Sequence, residues 1–436
     1  MGRPDFASRR SAAALLAAAV FGWVAAAPAQ AMSLREAGER ALQNDPRMLA
    51  ADSAVQSSQA GVAEATAAYR PRVNLAASVA AQQFKLQGSL PAGIALPDLM
   101  NPAAISVHAS QPLYSGGLND ARAESSRQYL EGARQSDALT RQGLLLETAA
   151  AYLQVVRDRA ITQVQRSDVQ TLEQAVSDTQ KRFDAGEATR TDVAQATARL
   201  AEARAGLSGA LAQQQSSEAA FQRVVGAAAD QLDPNPPSPV VPNSEDAALE
   251  AVDSTPEVQA AQARFKALQS QIAVAQSARR PTLALEGSAG EQNDSQFGAD
   301  SYNNWSVQLK AAMPIYAGGA IDAQVAKARA DAAQAQAQVE DARRAATERI
   351  TRAWNTLQAA SAEVDAYKAA AEANALALDN THKELEVGTR TTLDLLNAER
   401  DKISAEVNYA VSRGTRAVAA YQLLDACGQL RLEDLR

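Results

Sequence analysis

Residues 111–117 read Gln111-Pro112-Leu113-Tyr114-Ser115-Gly116-Gly117, and residues 313–319 read Met313-Pro314-Ile315-Tyr316-Ala317-Gly318-Gly319. They are one motif written twice, 202 residues apart, and each copy divides segments of opposite character. Upstream, Ile105-Ser106-Val107-His108-Ala109-Ser110 and Trp305-Ser306-Val307-Gln308-Leu309-Lys310-Ala311 alternate apolar and polar residues with the period of a strand. Downstream, no proline occurs between Pro112 and Pro234, and none follows Pro314. An interior proline costs a helix about 3 kcal/mol, so proline-free stretches of this length are what very long helices require. The motif therefore marks a strand-to-helix transition: Pro112 and Pro314 end the ladder, and Gly116, Gly117, Gly318 and Gly319 let the chain change direction. A phosphate-binding loop is not supported, because no Lys-Ser/Thr follows either glycine pair.

Further out, the duplication persists. Gly186-Glu187-Ala188-Thr189-Arg190-Thr191-Asp192-Val193 recurs as Gly388-Thr389-Arg390-Thr391-Thr392-Leu393-Asp394-Leu395, and the motif proline lies 74 residues before the glycine in both copies. A glycine just past a helix end, followed by Thr-x-x-Asp, describes a tight helical hairpin. The sequence thus predicts hairpins over 118–226 and 320–425. In the first, Leu144, Thr148, Ala151, Val155 and Ile161 mark an apolar stripe. Pro46 and Pro71 recur as Pro256 and Pro281, each pair 25 residues apart. Helices are expected there, then strands at about 72–86 and 103–113 in the first repeat (32–232) and at about 282–292 and 304–315 in the second (246–436). Only the interval from Pro71 to Pro112 breaks the match, being 8 residues longer than Pro281 to Pro314. Rigid arms of fixed length with one tolerant loop explain that contrast. The loops at about Gln87–Asn101 and Asn293–Asn303 carry the Gly, Pro, Asn and Asp of exposed turns. The proline-rich stretch 233–245 reads as the linker joining the copies.

Residues 1–31 read as an export signal: Arg9 and Arg10 precede an apolar run from Ala12 to Ala27, and Ala29-Gln30-Ala31 is a small-residue cleavage site. Cleavage there would start the chain at Met32 rather than at a cysteine, which points away from a lipid anchor. Losing Arg3, Arg9, Arg10 and Asp5 takes the net charge from −8 to −10, arguing against nucleic acid as a partner. The single Cys427 and two histidines offer neither a disulfide nor a metal site, and Cys427 reads as a small buried residue. No Ser/His/Asp, Cys/His or paired-carboxylate arrangement suggests catalysis. No later segment has about 20 consecutive apolar residues, so a helical membrane span is not expected, whereas a β-barrel remains open. Each strand has one apolar face and one small or polar face, which suits either a membrane barrel with a wet interior or an ordinary half-buried sheet. Four strands do not close a barrel. If they lie in lipid, several chains share one barrel.

The repeated order helix–(Arg)-Pro–strand–loop–strand–Pro-hydrophobic-Tyr-x-Gly-Gly–long helix–Gly-Thr-Arg-Thr-x-x-Asp-Leu–helix resembles the TolC family of outer-membrane efflux and secretion ducts. The ending Gly428-Gln429-Leu430, with Glu433-Asp434-Leu435, is also similar to the family's tail. The resemblance implies a mainly α fold whose hairpins form a trimeric α-barrel continuous with a 12-stranded β-barrel, four strands per chain. It implies a homotrimer in the outer membrane of a Gram-negative bacterium, with a large periplasmic part and no cofactor. Its expected partners are a periplasmic adaptor, an inner-membrane ABC or proton-driven transporter, and outer-membrane lipid.

By the same resemblance, Gly186, Glu187, Val387, Gly388 and Thr389 form tips where the adaptor docks. Asp394, Asn397 and Arg390 sit at the pore constriction, with Asp394 in a three-fold carboxylate ring. The chain departs from well-known members at Asn397, where a second acidic ring is common, at Leu385, where a tyrosine helps latch the tip, and at Ala201, beside Glu202, where an acidic latch residue would align. Glu202 is one conceivable partner for Arg390. Thr391-x-x-Asp394 is equally a capping box with no pore role, as is Thr189-x-x-Asp192. His108 falls on the polar strand face. Trp305 is either an interfacial girdle residue or a packed strand aromatic. Two rivals remain: a pore-free periplasmic coiled-coil protein, and an adaptor, which would carry one hairpin flanked by small β-domains rather than two.

Overall fold

The protein is described from a computed structural model covering residues 31–83, 99–293 and 301–435. The export segment before Ala31 and most of both expected loops lie outside those residues. The chain runs α1 (Leu34–Asn44), α2 (Pro46–Ala67), β1 (Arg72–Val79), β2 (Gln82–Gln83), β3 (Leu99–Met100), β4 (Ala103–Tyr114), α3 (Leu118–Asp184) and α4 (Arg190–Val225). It continues with α5 (Glu245–Leu249), α6 (Pro256–Ser277), β5 (Thr282–Asn293), β6 (Ser301–Ala312), α7 (Ala320–Glu386) and α8 (Thr392–Ala426). This is the mainly α fold with four principal strands per chain.

Local chemistry sets the helix starts. Asp45 caps α2 by accepting from the Arg47 amide at 2.8 Å, and Pro46 occupies the first helical turn, where a missing N–H costs nothing. Pro256 likewise occupies the first turn of α6, there without a side-chain cap from Thr255. Helices α3 and α7 have 67 residues each, about 100 Å at 1.5 Å per residue. Leu144, Thr148, Ala151 and Val155 of the α3 stripe are buried; it is then Thr162, beside Ile161, that turns inward. Alanines at the seams, including Ala196, Ala332, Ala335 and Ala346, let the long helices approach closely.

The main core lies where five separate segments meet midway along α3. Leu34 of α1, Leu145 and Tyr152 of α3, Phe221 of α4, Tyr421 of α8, and Leu430 and Leu435 of the tail pack together. Tyr152 and Phe221 meet edge to face with centroids 6.1 Å apart. Cys427 is buried beside Ala248 in a neighbouring cluster, and burial pushes its thiol up to about 11.

The four-stranded antiparallel sheet has the order β1-β4-β5-β6, so the two copies join through β4 and β5. Three strand expectations need correction. Pro112 does not end the ladder: it pairs with Ala284, and β4 continues to Tyr114 across a register shift between Pro112 and Tyr114. The irregularity accommodates a residue with no amide hydrogen. In the second copy, β6 begins at Ser301 and stops at Ala312, so Met313, Pro314 and Ile315 lie outside it. The first strand is interrupted within the expected 72–86: β1 ends at Val79, and Gln82–Gln83 pairs separately with Leu99–Met100. On the polar face, Glu286 accepts from Gln308 Nε2 at 2.9 Å and from Lys310 Nζ at 3.2 Å, and Ser288 meets Ser306 at 2.9 Å. His108 bonds Ser106 at 3.0 Å on the same face. The other face exposes Val73, Leu75, Val79, Trp305, Val307 and Leu309. Among the described residues, no helix is long and apolar enough to cross a membrane.

Candidate functional site

The far ends of the two hairpins have the same construction. At the first, the amide of Gly186 donates to Phe183 at 3.0 Å and that of Glu187 to Arg182 at 2.7 Å; at the second, Gly388 donates to Leu385 at 3.0 Å and Thr389 to Glu384 at 2.9 Å. This paired pattern closes a helix through a left-handed residue, and Gly186 and Gly388 have φ of 82° and 79°. A side chain there would meet nothing within 4 Å, so backbone conformation rather than space requires glycine. Thr189 and Thr391 then cap the returning helices. Asp394 Oδ2 accepts from the Thr391 amide at 3.0 Å and its hydroxyl at 2.8 Å, while the Asp394 amide donates to Thr391 Oγ1 at 3.2 Å. Asp192 and Thr189 form the same box. Those backbone and hydroxyl bonds hold the Asp394 carboxyl below the usual carboxylate range, so it is charged at neutral pH.

The structure brings only some of the expected tip residues together. Glu187 and Arg182 of the first tip face His382, Leu385 and Glu386 of the second across a cleft of about 500 Å³. Asn397 accepts from Arg199 Nη2 at 3.4 Å, linking α8 to α4. Within the chain Glu202 pairs with Arg199 at 2.9 Å, and Arg390 pairs with Glu384 of its own hairpin at 2.8 Å. The turn brings Arg390 back over the Glu384 carboxylate, while the Glu384 carbonyl accepts from the Thr389 amide and hydroxyl, each at 2.9 Å. Val387 stands exposed at the apex.

At the opposite end of the long helices, the two transition turns are not equivalent. Gly116 (φ 65°) lies against the second repeat: an added Cβ would be 2.9 Å from Arg280 Cβ and 3.2 Å from the Ser277 carbonyl. Arg280 Nη1 donates to the Gly116 carbonyl at 3.2 Å. Gly318 and Gly319 have the same left-handed backbone, yet a Cβ added at either would meet nothing within 4 Å. Beside them Ile315 is 98 % exposed and Tyr316 89 % exposed. The residue corresponding to Arg280 in the first repeat, Arg70, is exposed as well.

Sequence reasoning passed over Asp168, Arg199 and Glu399. Glu399 had a readable signal, since it occupies the α8 face shared by Leu396 and Ile403 and is buried with them.

Comparison with known proteins places this geometry. The profile of the family described as "Outer membrane efflux protein" matches residues 37–227 and 248–429, which is both repeats. The outer membrane efflux protein BepC of Brucella suis is 29% identical over 91% of this chain and 85% of its own length. The outer membrane protein TolC of Vibrio cholerae is 26% identical over 93% of this chain and 92% of its own. Among solved structures, the outer membrane protein VceC of Vibrio cholerae superposes with a TM-score of 0.77 at 22% identity, covering 91% of this chain and 96% of VceC, a likeness of fold. Matched along both of its repeats, the chain belongs to the outer membrane efflux protein family, whose members are channels rather than enzymes.

Proposed function

We propose that the chain is one third of an outer-membrane exit duct that passively conducts substrate delivered by an inner-membrane transporter and a periplasmic adaptor, in efflux or in type I secretion. The observation that carries this reading is the asymmetry of the transition turns. Within one chain, the turn at Gly116 is covered by Arg280 while its counterpart at Gly318 is bare, with two large apolar side chains beside it. Exposed apolar surface next to a left-handed glycine turn calls for a cover. The matching cover, Arg70, is exposed at the other edge of the same chain. A second copy that sets its Arg70 against this Gly318 also sets its β1 beside this β6, and repetition closes the ring.

The β4–β5 register transfers to that seam. Ala109 faces Gly287 within the chain, so Ala311 would face Ala77 of the next copy. Three chains then give a 12-stranded barrel with no free edge, as lipid demands. The apolar face with Trp305 would meet lipid and the polar face with Glu286, His108 and Lys310 would line water. In the outer membrane, α3, α4, α7 and α8 would extend into the periplasm, with the tips at Gly186, Glu187, Val387, Gly388 and Thr389 offered to the adaptor. Asp394, Asn397 and Arg390 would border the constriction, Asp394 as a three-fold carboxylate ring. Energy comes from the transporter. Reconstitution into planar bilayers tests the function: stepwise conductance from a heat-modifiable trimer is expected, and a stable trimer that never conducts would favour a pore-free coiled-coil protein instead.

A further inference from the structure

Between the hairpins, two acidic residues are largely buried and open into a shared cavity. Glu399 of α8 is 6 % exposed and Asp168 of α3 is 8 % exposed. Both line one cavity of about 380 Å³ between α3, α4 and α8. Neither makes a hydrogen bond or ion pair with any described residue. The charged groups around them are engaged elsewhere. On α4, Arg199 pairs with Glu202 at 2.9 Å; on α8, Arg400 pairs with Asp401 at 3.0 Å and Lys402 with Glu406 at 3.4 Å. Toward the tip, Glu399 also borders the cleft that holds Asp178 and Arg182 of α3 and His382 and Glu386 of α7. There Asp178 pairs with Lys181 at 2.9 Å and His382 with Glu386 at 3.3 Å. Two facing carboxylates in such a site do not both ionise while the helices stay packed; one proton must remain, or water must enter.

We propose that Asp168 and Glu399 form a proton-operated latch between α3 and α8: a retained proton holds the second hairpin against the first, and its loss separates them near the tips. The direction follows from the burial. Burial first, then the facing Asp168, push Glu399 up to about 7, and burial raises Asp168 too, in both cases against the smaller opposing pull of the Lys402 ammonium. A carboxyl whose value is raised in the packed state favours packing fully below the ordinary carboxylate range, and that contribution is lost as pH rises through about 7. Acid therefore keeps the seam shut and mildly alkaline conditions loosen it. This goes beyond the duct reading, since the seam exists within one chain.

The test is a distance, not a current. Spin labels at Ser167→Cys and Ser404→Cys, in a Cys427→Ala background, report the separation of α3 and α8 in the full-length, detergent-solubilised protein. The expected result is a shift from a short to a longer distance between pH 5.5 and 8.5. Glu399→Gln should remain short throughout, and Asp168→Asn should move the wild-type midpoint to lower pH. If Glu399→Gln does not fold, the Asp168→Asn arm decides alone. A wild-type distance that ignores pH, or a Glu399→Gln protein that keeps the transition, overturns the latch.

Discussion

Arg280 donates through Nη1 to the Gly116 carbonyl at 3.2 Å, so the last turn before one repeat's first strand grips the strand-to-helix turn of the other repeat. The same side chain crowds Gly116, which combines a φ of 65° with a Cβ position 2.9 Å from Arg280 Cβ. Gly116→Ala should therefore lower stability by about 1–3 kcal/mol through backbone strain and the displaced arginine. Gly318→Ala is the informative companion. In an isolated chain its turn is open, with only the left-handed backbone to oppose the substitution. In the proposed ring it would meet the next copy's Arg70 and cost as much as Gly116→Ala. Thermal melting of the detergent-solubilised assembly reads the difference, with Gly186→Ala, about 1 kcal/mol, as the reference for backbone alone.

At the second tip, the cap and the charge of Asp394 can be separated. Thr391→Ala removes the hydroxyl that receives the Asp394 amide but keeps the carboxylate; Asp394→Asn weakens the cap and removes the charge. Both should loosen the start of α8, by roughly 0.5–2 kcal/mol for loss of a cap, seen as faster amide exchange over residues 391–395. Only Asp394→Asn should weaken block of single-channel current by divalent cations. Because its bonds to Thr391 hold the Asp394 carboxyl below the ordinary range, its capping contribution and the block should persist above that range. Both fade as pH falls through the lowered value. Equal block in wild type and Asp394→Asn would remove Asp394 from the constriction.

The parts of this fold legible in the sequence were those set by local spacing. Prolines at 46, 71, 256, 281 and 314 bound the elements, and the Gly-x-x-Thr tips with their following aspartates placed the hairpin ends, because capping acts within a few residues. Non-local relationships were not legible. Arg390 has several carboxylates within reach along the chain, and only the path of the turn selects Glu384. Pro112 was expected to stop its strand because a proline cannot donate to a ladder, but the adjoining irregularity removes that demand. The central core was the largest omission. Tyr152, Phe221, Tyr421, Leu430 and Leu435 come from four distant stretches that no periodicity connects.

That core makes its own prediction. Tyr152 donates to the Met32 carbonyl at 2.8 Å and accepts the Asp233 amide at 2.7 Å, fastening the start of α1 and the inter-repeat linker to α3. Tyr152→Phe leaves the Asp233 amide and the Met32 carbonyl only their long mutual bond at 3.4 Å and should cost about 0.5–1.5 kcal/mol in denaturant unfolding, although little volume changes. Burial pushes the phenols of Tyr152 and Tyr421 up to about 12. Their contribution is complete below the ordinary phenol range and lost as pH rises toward 12, so these two phenols should stay neutral above the pH at which exposed tyrosines ionise. Ultraviolet titration of tyrosinate checks it: two slow phenols should ionise together with unfolding.

The opposite surface of the sheet tests the membrane assignment. Val307 and Leu309 lie on the exposed apolar face. Replacing either by arginine should impair insertion, by about 2–4 kcal/mol if the site lies near the bilayer midplane. Arginine in place of Ser306, on the polar face, should be tolerated. Recovery in the membrane fraction after alkaline carbonate washing distinguishes the two faces, and equal tolerance would indicate an ordinary sheet in water.

The central claim is that one chain's β6 completes its pairing on another chain's β1, with Ala311 opposite Ala77. The most direct measurement is oxidative cross-linking of the double variant Ala77→Cys/Ala311→Cys in intact outer membranes, followed by denaturing electrophoresis. The account predicts a covalent ladder ending at three chains, with each single variant remaining monomeric and with pairing lost when one cysteine is moved by a single residue. A doubly substituted protein that inserts into the membrane yet stays monomeric, or links without limit, would contradict it.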